Sequence, residues 1–283
     1  MQRHSLAIDD DGRPLELSWT EWGKPDAARA VVCVHGLTRN ARDFDALAAG
    51  LARGGARVLS VDVAGRGESG WLEDPMRYTV PVYARQLGVW LDALGLDRVD
   101  WVGTSMGGLI ALEIARDRPE RFRSLVLNDI GPFVAKEALA PIKAYLGLDL
   151  SFASLDQLEA HLRTIHAGFG TLPDEVWRHL ATHSARREGD RFRLHYDPRI
   201  REPFIAAAEE DIEMWDAWKR LSCPVLVLRG AESAILDTET AERMTRTGPK
   251  AELVVFEGVG HAPALFAPDQ TAAVTDFVLG RRS

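Results

Sequence analysis

A serine hydroxyl is a poor nucleophile at neutral pH, and it needs both a base within hydrogen-bond reach and a turn that lifts it clear of its surroundings. Ser105 has the turn. It stands in Val102-Gly103-Thr104-Ser105-Met106-Gly107-Gly108, after the apolar stretch from Val99 to Val102 and before the helix-forming run from Leu109 to Arg116. Gly-x-Ser-x-Gly between a strand and a helix reads as a nucleophile elbow, whereas the same letters elsewhere are usually only a turn. Gly103 and Gly107 carry the geometry, because residues without a Cβ let strand and helix close around a strained serine.

The candidate base is His261, in Glu257-Gly258-Val259-Gly260-His261-Ala262-Pro263, on a loop just after the last apolar run. Acyl transfer also needs donors aimed at the oxyanion that develops. His35-Gly36-Leu37-Thr38 follows the apolar run from Ala30 to Val34 and matches the loop that supplies one backbone N–H, while the residue after the nucleophile supplies the other. The expected donors are the amides of Leu37 and Met106, with Gly36 beside the substrate.

These loops need a rigid frame, and the apolar pattern provides one. Leu6 to Ile8 and Leu15 to Trp22 flank Asp9-Asp10-Asp11-Gly12 as an opening hairpin. Short continuous apolar runs follow at Ala30 to Val34, Val58 to Val61, Val99 to Val102, Ser124 to Leu127, Val225 to Leu228 and Leu253 to Phe256, as expected for strands buried on both faces. Helical patterns at Phe44 to Leu51, Val82 to Leu94, Met106 to Arg116 and Asp269 to Leu279 alternate with them, which predicts a mostly parallel α/β sheet with helices on both faces. Between Gly131 and about Leu221 the alternation breaks into helical stretches such as Leu155 to His166 and Pro173 to Arg187, with a polar loop around Glu188-Gly189-Asp190. The economical division is a core of residues 1–131 and 221–283 with a helical cap, 132–220, inserted over the carboxyl ends of the strands.

His35-Gly36, Asp62-Val63-Ala64-Gly65-Arg66-Gly67-Glu68-Ser69, Gly103 to Gly108 and Gly260-His261, in that order, resemble the α/β-hydrolase fold superfamily of the capped, esterase-like type. The resemblance implies a sheet of about eight strands, a helical cap, no cofactor, and hydrolysis through an acyl-enzyme on Ser105. In relatives with a similar Arg-Gly-x-x-Ser segment, the residue after that serine is commonly the Asp that orients the histidine. Here the turn reads Arg229-Gly230-Ala231-Glu232-Ser233-Ala234, and Ala234 takes the place of that carboxylate. Three explanations stand in order: a natural or engineered loss at Ala234, which lowers turnover by roughly four orders of magnitude while keeping the site's shape; an acid at Asp129, at the end of the preceding core strand; or Glu232 or Asp237 from the same turn.

The chain has 283 residues, 46% hydrophobic and 27% charged, with a formal net charge of -8 that argues against general nucleic-acid binding. No apolar run is long enough to span a bilayer, and the N-terminus lacks a signal peptide's apolar core, so a cytoplasmic protein without membrane association is expected. Cys33 and Cys223 read as buried reduced thiols. From His161 to Arg201 many arginines gather with His161, His166, His179, His183 and His195. A solvated basic face is the plain reading, and a cap that attracts an anionic substrate is the sharper one.

Gly65-Arg66-Gly67-Glu68-Ser69-Gly70 spells a dinucleotide fingerprint, but Trp71-Leu72-Glu73-Asp74-Pro75 cannot open the helix that would hold a pyrophosphate, so it reads as a turn. His179 and His183 have i, i+4 spacing without a third ligand in pattern, and no metal is expected. Of the aromatics Trp71, Phe133, Tyr145, Phe152, Phe169, Trp177, Trp215, Trp218 and Phe266, any one of which is more readily core than cleft, Phe133 and Phe266, each near an active-site loop, are the better pocket candidates.

The sequence thus predicts a serine hydrolase of carboxylic esters acting on a small molecule, with amides, lactones and ring-cleavage diketones as related substrates. Serine at position 105 argues against the dehalogenase and epoxide hydrolase chemistries that use an aspartate in this fold. A ligand-binding protein that kept the pocket but lost catalysis is the rival, with Ala234 as its motive. The oligomeric state stays open.

Overall fold

The computed structural model describes residues 1–207 and 209–281. In chain order, β1 (Gln2–Asp9) and β2 (Pro14–Trp22) precede β3 (Ala30–Val34), α1 (Asp45–Arg53), β4 (Arg57–Val61), α2 (Val80–Ala93), β5 (Val99–Thr104), α3 (Met106–Asp117) and β6 (Phe122–Asn128). Next come β7 (Phe133–Val134), α4 (Ala140–Tyr145), α5 (Leu155–Ile165), α6 (Asp174–Ser184), β8 (Ala185–Glu188), β9 (Arg191–Leu194), α7 (Arg201–Ala207), β10 (Ile212–Glu213) and α8 (Trp215–Arg220). The alternation then resumes with β11 (Val225–Gly230), α9 (Thr238–Arg246), β12 (Glu252–Phe256) and α10 (Pro268–Leu279).

The eight-stranded sheet runs β1-β2-β4-β3-β5-β6-β11-β12. β1 with β2 and β2 with β4 are antiparallel, and every later pair is parallel. Strand periodicity explains why the inner strands read as unbroken apolar runs. In β3, Val32 and Val34 point into a core built with Trp90, Trp101 and Ile110 under α2 and α3, while Val31 and Cys33 point into another with Leu47, Leu51, Val274 and Val278 under α1 and α10. Because both faces are covered, no residue of β3 or β11 is left for water.

β3 lies between β4 and β5, so the chain leaves it toward one sheet edge and later returns toward the other. Ligands of open α/β sheets bind in the crevice that such a reversal opens at the carboxyl ends of the strands. His35-Gly36 and Ser105 are the residues that emerge there.

The segment between β6 and β11 differs in detail from the sequence reading. The helix expected to run to Arg187 ends at Ser184, and residues 185–194 form the antiparallel pair β8–β9. Gly189, at φ 62°, closes its turn. In β9, Phe192 and Leu194 alternate with arginines and pack on the apolar cluster of this segment, too short a pattern to mark a strand, and Arg186 faces Arg193 across the pair with both guanidiniums meeting Glu188. A second small pair joins β7 to β10. Phe152, Leu158, Leu162, Trp177 and Leu180 give this segment an apolar cluster of its own. Position 208 and the last two residues of the expected core fall outside the described residues.

Candidate active site

Ser105 is the residue between β5 and α3, at φ 50° and ψ -115°, a conformation rare for a residue with a side chain. Such backbone strain costs about 1–3 kcal/mol and persists where the surroundings over-determine it. They do here. A Cβ on Gly107 would lie 2.0 Å from the carbonyl oxygen of Val34, and one on Gly103 would lie 2.4 Å from the Gly107 carbonyl, so neither position admits a side chain. The Ser105 N–H donates to the Asn128 carbonyl at 3.0 Å, which ties the elbow to the end of β6.

The loop after β12 brings His261 to the serine, with Nε2 2.9 Å from Ser105 Oγ. On the other side of the ring, Nδ1 lies 2.7 Å from Oδ2 of Asp129. Asp129 is fully buried at the end of β6 and sits at φ 56°. The Gly230 N–H donates to its Oδ1 at 2.8 Å, and the Ser233 hydroxyl donates to its Oδ2 at 2.5 Å. An ionised carboxylate only accepts, so Nδ1 carries the ring proton and Nε2 offers its lone pair to the serine hydroxyl. Asn128 Nδ2 donates to the Pro263 carbonyl at 2.8 Å and the Gly260 N–H to the Gly168 carbonyl at 2.7 Å, which fixes the histidine loop from both sides.

The carboxylate hydrogen-bonded to His261 is thus that of Asp129, the second of the three alternatives, and not one from the turn that carries Ala234. Ala234 is exposed, as is Glu232. Asp237 caps α9, accepting the Thr240 N–H at 2.6 Å. The turn after β11 still serves the histidine, but through Ser233 and the Gly230 amide, which hold the Asp129 carboxylate.

Leu37 and Met106, which line a cavity together with Ser105, carry amide N–H groups that meet no acceptor among the described residues. The Gly36–Leu37 peptide is oriented by its carbonyl, which accepts from His35 Nδ1 at 2.8 Å and from the Arg39 N–H at 3.1 Å. His35 Nε2 in turn accepts the Val63 N–H at 3.0 Å. Burial pushes His35 down to about 3, so the ring stays neutral and both bonds persist at physiological pH. A Cβ built on Gly36 would rest 3.7 Å from that of Ser105, so this glycine borders the nucleophile.

Two cavities meet at Ser105. The smaller, about 80 Å³, is walled by the loop from His35 to Arg39, by His261, and by Tyr145, His166 and Phe169 from the inserted segment. The larger, about 380 Å³, is mostly apolar and is lined by Met106, Leu109, Ile130, Val134, Leu139 and Phe204 among others. Phe133 and Phe266 line neither. Phe133 pairs with Glu213 and packs on the core while its neighbour Val134 turns inward. Phe266 belongs to the inserted segment's cluster, its ring 5.5 Å from that of His179. Tyr145 and Phe169 stood among the aromatics of the cleft but behind Phe133 and Phe266, and His166 was missed, because nothing in the local pattern distinguishes a wall residue from a packed one.

Among the described residues, Asp45, His179 and His183 gather metal-ligating atoms within 4.8 Å of one another. Arg42 already fills that group, with its guanidinium 2.5 Å from Asp45 Oδ2 and 3.3 Å from His183 Nδ1. A dication would have to displace a cation, so the cluster does not fit a metal. Burial and the Arg42 charge push His183 down to about 4. The basic segment is likewise satisfied internally: Arg163, Arg178, Arg186, Arg193 and Arg199 each meet a carboxylate. The solvated-face reading thus fits better than an anion-attracting cap. Cys33 and Cys223 are buried free thiols. No helix among the described residues is long and apolar enough to cross a membrane.

A profile of the alpha/beta hydrolase fold matches residues 29–268. The chain belongs to this family. A 3-hydroxybutyrate-oligomer hydrolase of Cupriavidus necator is 40% identical over 273 residues, 93% of each chain. An esterase of Mycobacterium tuberculosis is 28% identical and covers 93% of this chain and 85% of its own. Among solved structures, an alpha/beta hydrolase from Novosphingobium aromaticivorans superimposes with a TM-score of 0.88 at 33% identity, over 99% of this chain and 98% of that one.

Proposed function

We propose that this hydrolase cleaves carboxylic esters through an acyl-enzyme on Ser105, and that its substrates are short oligomers of 3-hydroxybutyrate. The observation that carries the chemistry is the continuous hydrogen-bond chain from Ser105 Oγ through His261 to Asp129. The Cupriavidus necator relative supplies the substrate, through its name and an alignment that spans nearly both chains.

The residues divide the work as follows. His261 Nε2 takes the hydroxyl proton as Ser105 Oγ attacks the ester carbonyl, and the Leu37 and Met106 amides hold the oxyanion. Collapse expels the alkoxide, which takes the proton from Nε2, leaving the acyl group on Ser105. Water then attacks the acyl-enzyme and gives its proton to His261 Nε2; collapse breaks the bond to Ser105 Oγ, which takes that proton back as the acid leaves. Asp129 keeps the imidazole in the productive tautomer and stabilises its charged form. Residues 132–220 act as the cap, since their side chains wall both cavities over the nucleophile.

A mostly apolar cavity of about 380 Å³ suits a repeating unit that is methyl-bearing and uncharged between its ends. The ligand-binding rival took its motive from Ala234, and Asp129 on the histidine removes that motive. Incubation with the linear dimer and trimer of 3-hydroxybutyrate, with monomer release followed chromatographically, tests the substrate. Turnover of simple butyrate esters without turnover of either oligomer would keep the chemistry and reject the oligomer.

A further inference from the structure

Arg66 is fully buried, and no carboxylate lies within ion-pair distance of its guanidinium among the described residues. Buried charges are ordinarily paired, because moving an ion out of water is costly. The group is instead surrounded by neutral acceptors. Nε donates to the Leu37 carbonyl at 2.9 Å, Nη1 to the Ala64 carbonyl at 2.7 Å and to the Tyr83 hydroxyl at 2.6 Å, and Nη2 lies 3.6 Å from Met106 Sδ. The Tyr83 ring stacks under the cation at 4.9 Å. Besides Ala64, Tyr83 and the Tyr78 ring at 5.7 Å, it meets Leu37 and Met106, the two residues proposed to supply the oxyanion donors.

We infer that Arg66 is a positioning residue of the oxyanion site: an unpaired buried cation that fixes the peptide after Leu37 and gains its counter-charge only when the tetrahedral intermediate forms. The inference rests on the ester-hydrolase reading above. Its logic is differential. A cation that lacks an ionic partner in the resting site interacts more strongly with the anionic intermediate than with the neutral ester, so its effect falls on turnover rather than on substrate binding. The loop that carries it is clamped to suit: the Gly67 N–H donates to the His195 carbonyl and the Asp197 N–H to the Gly65 carbonyl, at 2.9 and 2.8 Å, so the inserted segment holds the arginine's backbone on both sides.

The test compares wild type, Arg66→Met and Arg66→Lys for ester turnover, for inhibition by a trifluoromethyl ketone that forms an anionic adduct on serine, and for binding of the matching unreactive ether. Removing one oxyanion donor costs about 10²–10³-fold in kcat, and Arg66→Met, acting through such donors, is expected to lose about tenfold to hundredfold in kcat and as much in ketone affinity. KM and ether affinity should stay within about threefold, and Arg66→Lys should recover part of the loss, since it restores charge without the fork. Equal losses in ketone and ether binding, or a folded Arg66→Met with wild-type kcat, would overturn the inference. If Arg66→Met does not fold, Arg66→Lys decides: lowered kcat and ketone affinity with ether binding intact supports the role, and unchanged kcat rejects it. A wild type that neither turns over esters nor binds the ketone would instead reject the ester-hydrolase reading itself.

Discussion

Asp129 reaches His261 from the end of β6, at 2.7 Å, while Ser233 on the turn after β11 holds the same carboxylate oxygen at 2.5 Å. The turn from which a carboxylate was expected thus delivers a hydroxyl to a carboxylate one strand away.

Asp129→Asn should therefore lower kcat by roughly 10³–10⁴-fold, since an amide there favours the wrong imidazole tautomer. Ala234→Asp, on an exposed position, should leave kcat within about twofold, inside the range of an inert surface change of about 0.5 kcal/mol. Steady-state kinetics on a short aryl ester checks both, and a large gain from Ala234→Asp would move the acid back to the turn.

Ser233→Ala should cost less, because Asp129 keeps its bond to the Gly230 amide. A hydrogen bond to a charged group contributes about 1.5–3 kcal/mol, which corresponds to about a tenfold to hundredfold drop in kcat if all of it is felt in the transition state. The loss should fall on kcat with KM nearly unchanged; a change confined to KM would remove Ser233 from the relay.

Acid should destabilise the fold. His35 and His183 are pushed down to about 3 and about 4, mainly by burial, while an unfolded histidine titrates near 6.5 (roughly). Between those values the unfolded chain binds protons that the native one refuses, so the stability present above about pH 6.5 is lost as pH falls toward 4. Asp62, raised to about 6 by burial, works in the opposite sense, its contribution being lost as pH rises to 6. His161, His166 and His195 are lowered as well, so the histidines prevail. Thermal unfolding from pH 7 to pH 4.5 should show a falling Tm, with a shallower fall in His183→Gln; a Tm that rises on acidification would contradict the assignment.

Leu139 is buried in the wall of the larger cavity and does not line the smaller one. Leu139→Trp should narrow that cavity and reduce kcat/KM for long acyl chains by about tenfold, or about 1.4 kcal/mol, relative to acetate esters. An equal fall on short and long esters would mean that the substrate lies elsewhere.

The frame was legible because β3, β4, β5, β6 and β11 are buried on both faces and so read as apolar runs with helices between them, while the edge strand β12 keeps an apolar run although Val255 is exposed. Ser105 and His261 were legible because the elbow admits only glycine at positions 103 and 107 and because one histidine follows the last strand. Asp129 ranked second for a physical reason. Beside Gly131-Pro132 it has the local signature of a turn residue, and only the pairing of β6 with β11 brings it under the histidine. The β8–β9 pair escaped because its apolar face is only Ala185, Phe192 and Leu194 among arginines, too short an alternation to stand out after a helical pattern. Phe133 and Phe266 were judged by sequence distance from active-site loops, which says nothing about the side to which a ring points.

The most direct measurement is the rate and site of labelling by a fluorophosphonate, read by intact mass and peptide mapping. Wild type should take up one adduct per chain, on Ser105; Ser105→Ala should take up none, and His261→Ala and Asp129→Asn should react slower by roughly 10³-fold or more. An unreactive Ser105, or labelling of Asp129→Asn at the wild-type rate, would contradict a serine activated through His261 and Asp129.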